Sequence, residues 1–141
     1  MCGAHAAVRH LLGGLHEPNV ITVVDMEAGL EHLSRGTDRN ADVLLAVAEP
    51  YFKSLETARR CVELGRELKI PRVAAVANKF RSKNDLETVR KYAAAHNIDI
   101  FAEVPYDEKI QTADLAGSAP DLSEHNNAAS AIKEITVALG L

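Results

Sequence analysis

Four compact apolar runs punctuate the chain: VITVV at 20–24, DVLLAVA at 42–48, PRVAAVA at 71–77 and IDIFAEV at 98–104. The first three are nearly continuous in apolar residues, the pattern of parallel strands covered on both faces. Between and around them the period changes to that of a helix. AHAAVRHLLGGL places Ala4, Val8, Leu11, Leu12 and Leu15 on one face and ends at Gly13, Gly14 and Pro18. SLETARRCVELGRELKI does the same with Leu55, Ala58, Cys61, Val62, Leu64 and Leu68, and NDLETVRKYAAAHN with Leu86, Val89, Tyr92 and Ala93. Ser54 and either Asn84 or Asp85 are the candidate N-caps. A last helix, NAASAIKEITVALGL, follows the polar link GSAPDLSEHNN.

Strands alternating with helices of this length, without hairpin signals, predict βαβ units with right-handed crossovers. The expected fold is α/β, a three-layer, mostly parallel sheet flanked by helices, in a single domain over 1–141. Ligands in such sheets bind beyond the carboxyl ends of the strands. Attention therefore falls on DMEAG, EPYFKS, NKFRSKND and PYDEKI, the segments that follow the four runs.

Charge and composition narrow the function classes. A net charge of −4 with 26% charged and 4% aromatic residues lacks the basic excess of a nucleic-acid binder. The apolar runs fall far short of the ~18 residues that span a bilayer, and there is no apolar signal core, so no membrane role is expected. Two cysteines, Cys2 and Cys61, are too few for a disulfide framework. The reading is a cytoplasmic protein, with Cys61 on an apolar helix face as part of the core.

VVDMEAGLEHLSRGT, VAEPYFKSLETA, VANKF and EVPYDEKIQTADLAG, in this order, resemble the second half of the ParA/MinD-type P-loop ATPases, and within them the CooC-like branch implicated in nickel insertion into carbon monoxide dehydrogenase. The resemblance implies the C-terminal half of a nucleotide-binding domain of the SIMIBI type. It places Asp25 near the magnesium of ATP or ADP as the catalytic carboxylate, acting through a water because Mg²⁺ keeps several waters. Gly29 then brings a backbone N–H to a terminal phosphate, where a Cβ would intervene. Glu27 and Glu31 fall in the same switch segment. Asn78 matches the base-contacting asparagine, whose amide offers a donor and an acceptor to adenine, and Pro105, Tyr106 and Asp107 match the loop that walls the base. Without the resemblance, Asp25 reads equally as a helix cap or solvated residue, Asn78 as a turn residue, and Lys53 and RSKND as solvated loop.

MCGAH adds Cys2 and His5. Members of the CooC-like branch carry a C-x-C element here, so the resemblance implies that two chains each lend a thiolate and an imidazole to Zn²⁺ or Ni²⁺ across a homodimer axis. The other histidines show no ligand spacing.

The departure from the family is an absence. No G-x-x-x-x-G-K-[ST] stretch occurs in the sequence, and Gly13 and Gly14 lack the lysine and hydroxyl that a phosphate cradle needs. The expectation is a chain lacking the family's first strand and P-loop, inactive as an ATPase on its own. It would work with adenine nucleotide and a client metalloenzyme once complete. The alternatives are a non-catalytic α/β binding module that has lost hydrolysis, and a ParA/MinD-type partitioning ATPase.

Overall fold

The computed structural model of the chain describes residues 20–26, 41–120 and 126–140. In chain order the described elements are β1 (Val43–Ala48), α1 (Phe52–Glu67), β2 (Arg72–Phe80), α2 (Lys83–Ala95), β3 (Ile100–Pro105), α3 (Glu108–Leu115) and α4 (Asn127–Leu139). The strands form one parallel sheet in the order β1-β2-β3. Each crossover between them is a helix, which is what consecutive parallel strands require.

The sheet is lined mainly by alanine and valine, so helices pack close to it. On one face Ala46, Ala48, Ala75 and Ala77 meet Leu55, Ala58 and Val62 of α1 and Val89 and Ala93 of α2. Cys61 is half-buried against this cluster, and desolvation pushes its thiol pKa up. Val62 is fully buried, a placement that stabilises by about 1.5–3 kcal/mol for a side chain of its class. Gly65 marks the closest approach. A Cβ there would stand 2.5 Å from Leu44 Cδ2 and 3.1 Å from Val73 Cγ1. On the other face Val76 and Val104 pack with Ala128, supported by Ala131 and Ile135 of α4. Helix, sheet and helix make the three layers.

Two bulges shape β3 and its partner. Ala75 pairs with Ile100 but Val76 with Ala102, so Phe101 is an extra residue in β3. As a result Ile100 packs with the α1/α2 cluster while Ala102 packs with the α4 cluster. Asn78 pairs with Val104 but Phe80 with Pro105, so Lys79 is an extra residue in β2. Lys79 takes the left-handed conformation, φ 55°, which accommodates a bulge.

Helix ends correct several sequence expectations. The N-cap of α1 is Tyr51, without a side-chain cap; Ser54 sits inside the helix and its Oγ accepts the N–H of Glu49 at 2.9 Å. Ser82 caps α2: its side chain accepts from the N–H of Asp85, whose carboxylate accepts from the N–H of Ser82, a reciprocal capping box. Asn84 and Asp85 therefore lie in the first turn, so that of RSKND the last three residues are helical while Arg81 and Ser82 precede the helix. Pro105 ends β3, Tyr106 and Asp107 form a loop, and the short helix α3 follows from Glu108. α1 and α2 are tied together by Glu56, which accepts from Arg59 on its own helix and from the Tyr92 hydroxyl at 2.8 Å. These bonds, that to Arg59 foremost, hold its carboxyl well below the usual range.

The first apolar run is the main difference. Residues 20–24 form no strand and join no ladder, and Val23 is 81% exposed. A strand persists when its N–H and C=O groups find partners, and no described strand pairs with this segment. The expected first helix and the segment carrying Glu27, Gly29 and Glu31 lie outside the described residues, as do Cys2 and His5. Among the described residues no helix is long and apolar enough to cross a membrane.

Candidate functional site

The carboxyl ends of β1, β2 and β3 lie side by side because the sheet is parallel, and the loops leaving them touch. From β1 come Glu49 and Pro50, with the exposed pair Tyr51 and Phe52 opening α1. From β2 come Asn78, Lys79 and Phe80, and from β3 Pro105, Tyr106 and Asp107.

Sequence reading puts Asn78 just beyond its strand; the structure keeps it inside β2, half-buried and in register with Val104. It therefore stands next to the strand position that precedes Pro105. Tyr106 donates its backbone N–H to the carbonyl of Phe80 at 2.9 Å, closing the two strand ends together. The Tyr106 hydroxyl donates to Gln111 Oε1. The guanidinium of Arg81 lies 3.4 Å from the centroid of the Tyr106 ring, a cation–π contact between the two loops. Lys79 Nζ reaches Glu49 at 3.1 Å, an exposed ion pair that spans the ends of β1 and β2.

Asp107 is a helix cap. Its Oδ1 accepts from the N–H groups of Lys109 at 2.9 Å and Ile110 at 3.2 Å. That bonding fixes the turn after Tyr106, so Asp107 shapes the loop. Asp25 is exposed, lies in no helix or strand, and makes none of these contacts. The structure thus brings Asn78, Pro105, Tyr106 and Asp107 together, and Asp25 forms no hydrogen bond or ion pair with them. Gly29, Cys2 and His5 fall outside the described residues.

Arg81 and Lys79 were missed as site residues. The signal for Arg81 was available in SKND at 82–85, a capping-box spacing that immobilises the turn just after it. Lys79 carried no local signal, because its position depends on a bulge that only strand pairing creates.

Chemically, these strand ends offer one amide with a donor and an acceptor, an aromatic ring already braced by a cation, and a proline. Such a set suits a flat heteroaromatic edge. It does not suit a phosphate chain: no glycine-rich lysine loop belongs to the sequence, and among the described residues no three His, Cys, Asp or Glu side chains converge to hold a metal ion.

No family model matches the chain. It is 40% identical over 125 residues to the carbon monoxide dehydrogenase accessory protein CooC of Rhodospirillum rubrum, covering 87% of this chain and 47% of that protein. It is 32% identical over 137 residues to an uncharacterised ATP-binding protein of Methanocaldococcus jannaschii, covering 95% of this chain and 54% of that one. The fold is shared with the MinD cell division protein of Aquifex aeolicus, at a TM-score of 0.62 and 17% identity, over 74% of this chain and 46% of that one. The chain spans about half the length of the curated relatives it matches. With its parallel sheet, strand-end loops and these relatives taken together, the chain belongs to the CooC-like branch of the ParA/MinD-type P-loop ATPases.

Proposed function

We propose that the chain is the C-terminal half of a CooC-like ATP-binding protein, supplying the wall that recognises the adenine base, and that the complete protein acts in nickel insertion into a metalloenzyme such as carbon monoxide dehydrogenase. The observation that carries the nucleotide part is the pairing of Asn78 with Val104, which sets an amide beside the Pro105–Asp107 loop at the sheet's ligand-binding end. The relatives' printed names, an accessory protein of carbon monoxide dehydrogenase and an ATP-binding protein, support the rest.

In this reading Asn78 pairs with the edge of adenine, Pro105 and Tyr106 cover its face, and Asp107 holds the turn that presents them. Asp25 serves the magnesium side, with Gly29 at the terminal phosphate, in a domain where a P-loop supplies the missing lysine and hydroxyl. Bound Mg²⁺ would neutralise phosphate charge. Cys2 and His5 are half of a Zn²⁺ or Ni²⁺ site shared across a homodimer, and nickel is the cargo delivered to the client. The compartment is the cytoplasm.

The test is a binding titration with fluorescent ATP, competed by ATP and by GTP. The 141-residue chain should bind the adenine nucleotide weakly and hydrolyse it no faster than background. Asn78→Ala should weaken binding of ATP about tenfold while leaving GTP unchanged, the loss expected when a base edge loses hydrogen-bond partners. Equal competition by both nucleotides, or no effect of Asn78→Ala, would remove Asn78 from the site. A second reading, a binding module that has lost hydrolysis, is favoured by the absent G-x-x-x-x-G-K-[ST] motif. It predicts no nucleotide binding in either variant.

A further inference from the structure

The side of the sheet farthest from β1 carries a second candidate surface. β3 is hydrogen-bonded to β2 along one side, and among the described residues it has no strand partner along the other. Alternate N–H and C=O groups of such an edge point away from the sheet, ready to pair with another strand. A groove of about 700 Å³ runs along this edge between α2 and α4, with Ile98, Ala102 and Ile135 among its apolar lining residues. That volume lies within the roughly 300–1,000 Å³ of cavities that hold ligands. The groove is separate from the strand-end cluster, since none of Asn78, Tyr106 or Asp107 lines it.

Charge selects the occupant. Arg90 is the groove's one lining cation, and it is committed to Glu103 through two bonds of 2.7 and 2.8 Å. Asp99 and Glu134 line the same groove, are exposed, and form no ion pair among the described residues. The rim therefore carries uncompensated negative charge. A second copy of the chain added edge to edge would bring its own Asp99 and Glu134 to the same rim, and like charge set against like charge opposes association. A strand bearing lysine or arginine meets no such opposition.

We propose that the β3 edge is a docking site for an extended, basic segment of a partner protein, which adds to the sheet as a further strand and places its cations against Asp99 and Glu134. The backbone ladder supplies affinity and the alternate side chains supply selection. This site stands independently of nucleotide binding.

The probe is a short fluorescent peptide in which lysine and valine alternate, followed by anisotropy and by hydrogen exchange of the chain. Binding should slow exchange of edge amides within residues 100–103. It should weaken about tenfold in the double variant Asp99→Lys/Glu134→Lys, the scale on which close charge pairs act across interfaces. Both positions are exposed, so the variant keeps its fold, which its unfolding midpoint verifies. Replacing the peptide's central valine by proline should abolish amide protection, because proline has no N–H for the ladder. Unchanged binding in the double variant would overturn the proposal, and so would equal binding of the proline peptide. A chain that self-associates with its 100–103 amides already protected would overturn it in favour of a second copy.

Discussion

The guanidinium of Arg81 lies 3.4 Å from the centroid of the Tyr106 ring and so couples the loop after β2 to the loop after β3. The neighbouring backbone bond from Tyr106 to Phe80 holds the ring at that height. Cation–π contacts at exposed sites contribute about 0.5–1 kcal/mol. A double-mutant cycle with Arg81→Ala and Tyr106→Ala should return a coupling of that size in urea unfolding. Strictly additive effects would mean that the stack does not hold the loops together.

The capping box of α2 makes a pH prediction. The backbone N–H of Arg81 and the hydroxyl and N–H of Ser82 favour the charged form of Asp85 and lower its pKa in the fold. The unfolded chain therefore takes up this proton first as pH falls. Its contribution to stability is complete above the ordinary aspartate value of about 4 and is lost as pH drops through the lower, folded value. Asp85→Asn should flatten the acid limb of the stability curve and leave stability near neutrality lower and pH-independent at this site. An unaltered acid limb in thermal melts from pH 7 downward would contradict it.

A side chain at Gly65 would force the tip of Leu44 to turn aside and press on Val73. Gly65→Val should push α1 off the sheet and cost about 1–3 kcal/mol, the usual range for overpacking, read as a lower urea midpoint with an unchanged slope. Leu44→Ala in the same chain should recover part of the loss, because it removes the atom that clashes first.

The proposed metal site has an assembly readout. Zn²⁺ should shift the chain from monomer toward dimer in sedimentation by mass action, and Cys2→Ser or His5→Ala should weaken that shift. Lowering the pH should mimic the substitutions, since thiolate and neutral imidazole are the binding forms. Identical profiles with and without Zn²⁺ in all three chains would refute the shared site.

Much of the fold was legible along the chain. VLLAVA, RVAAVA and IFAEV are short apolar runs, and the spacing of Leu55, Ala58 and Val62 or of Val89 and Ala93 is helical. These patterns report burial, so they predicted the three strands and the helices that cover them, and therefore a parallel α/β sheet whose strands end near Asn78 and Tyr106. The strand-end residues and the family were visible because side-chain chemistry and motif order are local facts.

Pairing is not local, and there the tertiary structure decided. VITVV is apolar at every position but Thr22, yet its backbone finds no ladder and it stays exposed. Asn78 was displaced into its strand because β2 pairs as far as Phe80. Lys79 reaches Glu49 only because a bulge turns it, and Arg81 covers Tyr106 only because a capping box and a cross-strand bond meet at one corner. Hydrophobic periodicity records which side chains leave water; which backbone groups meet depends on partners distant in the chain, and that information exists only once the sheet has formed.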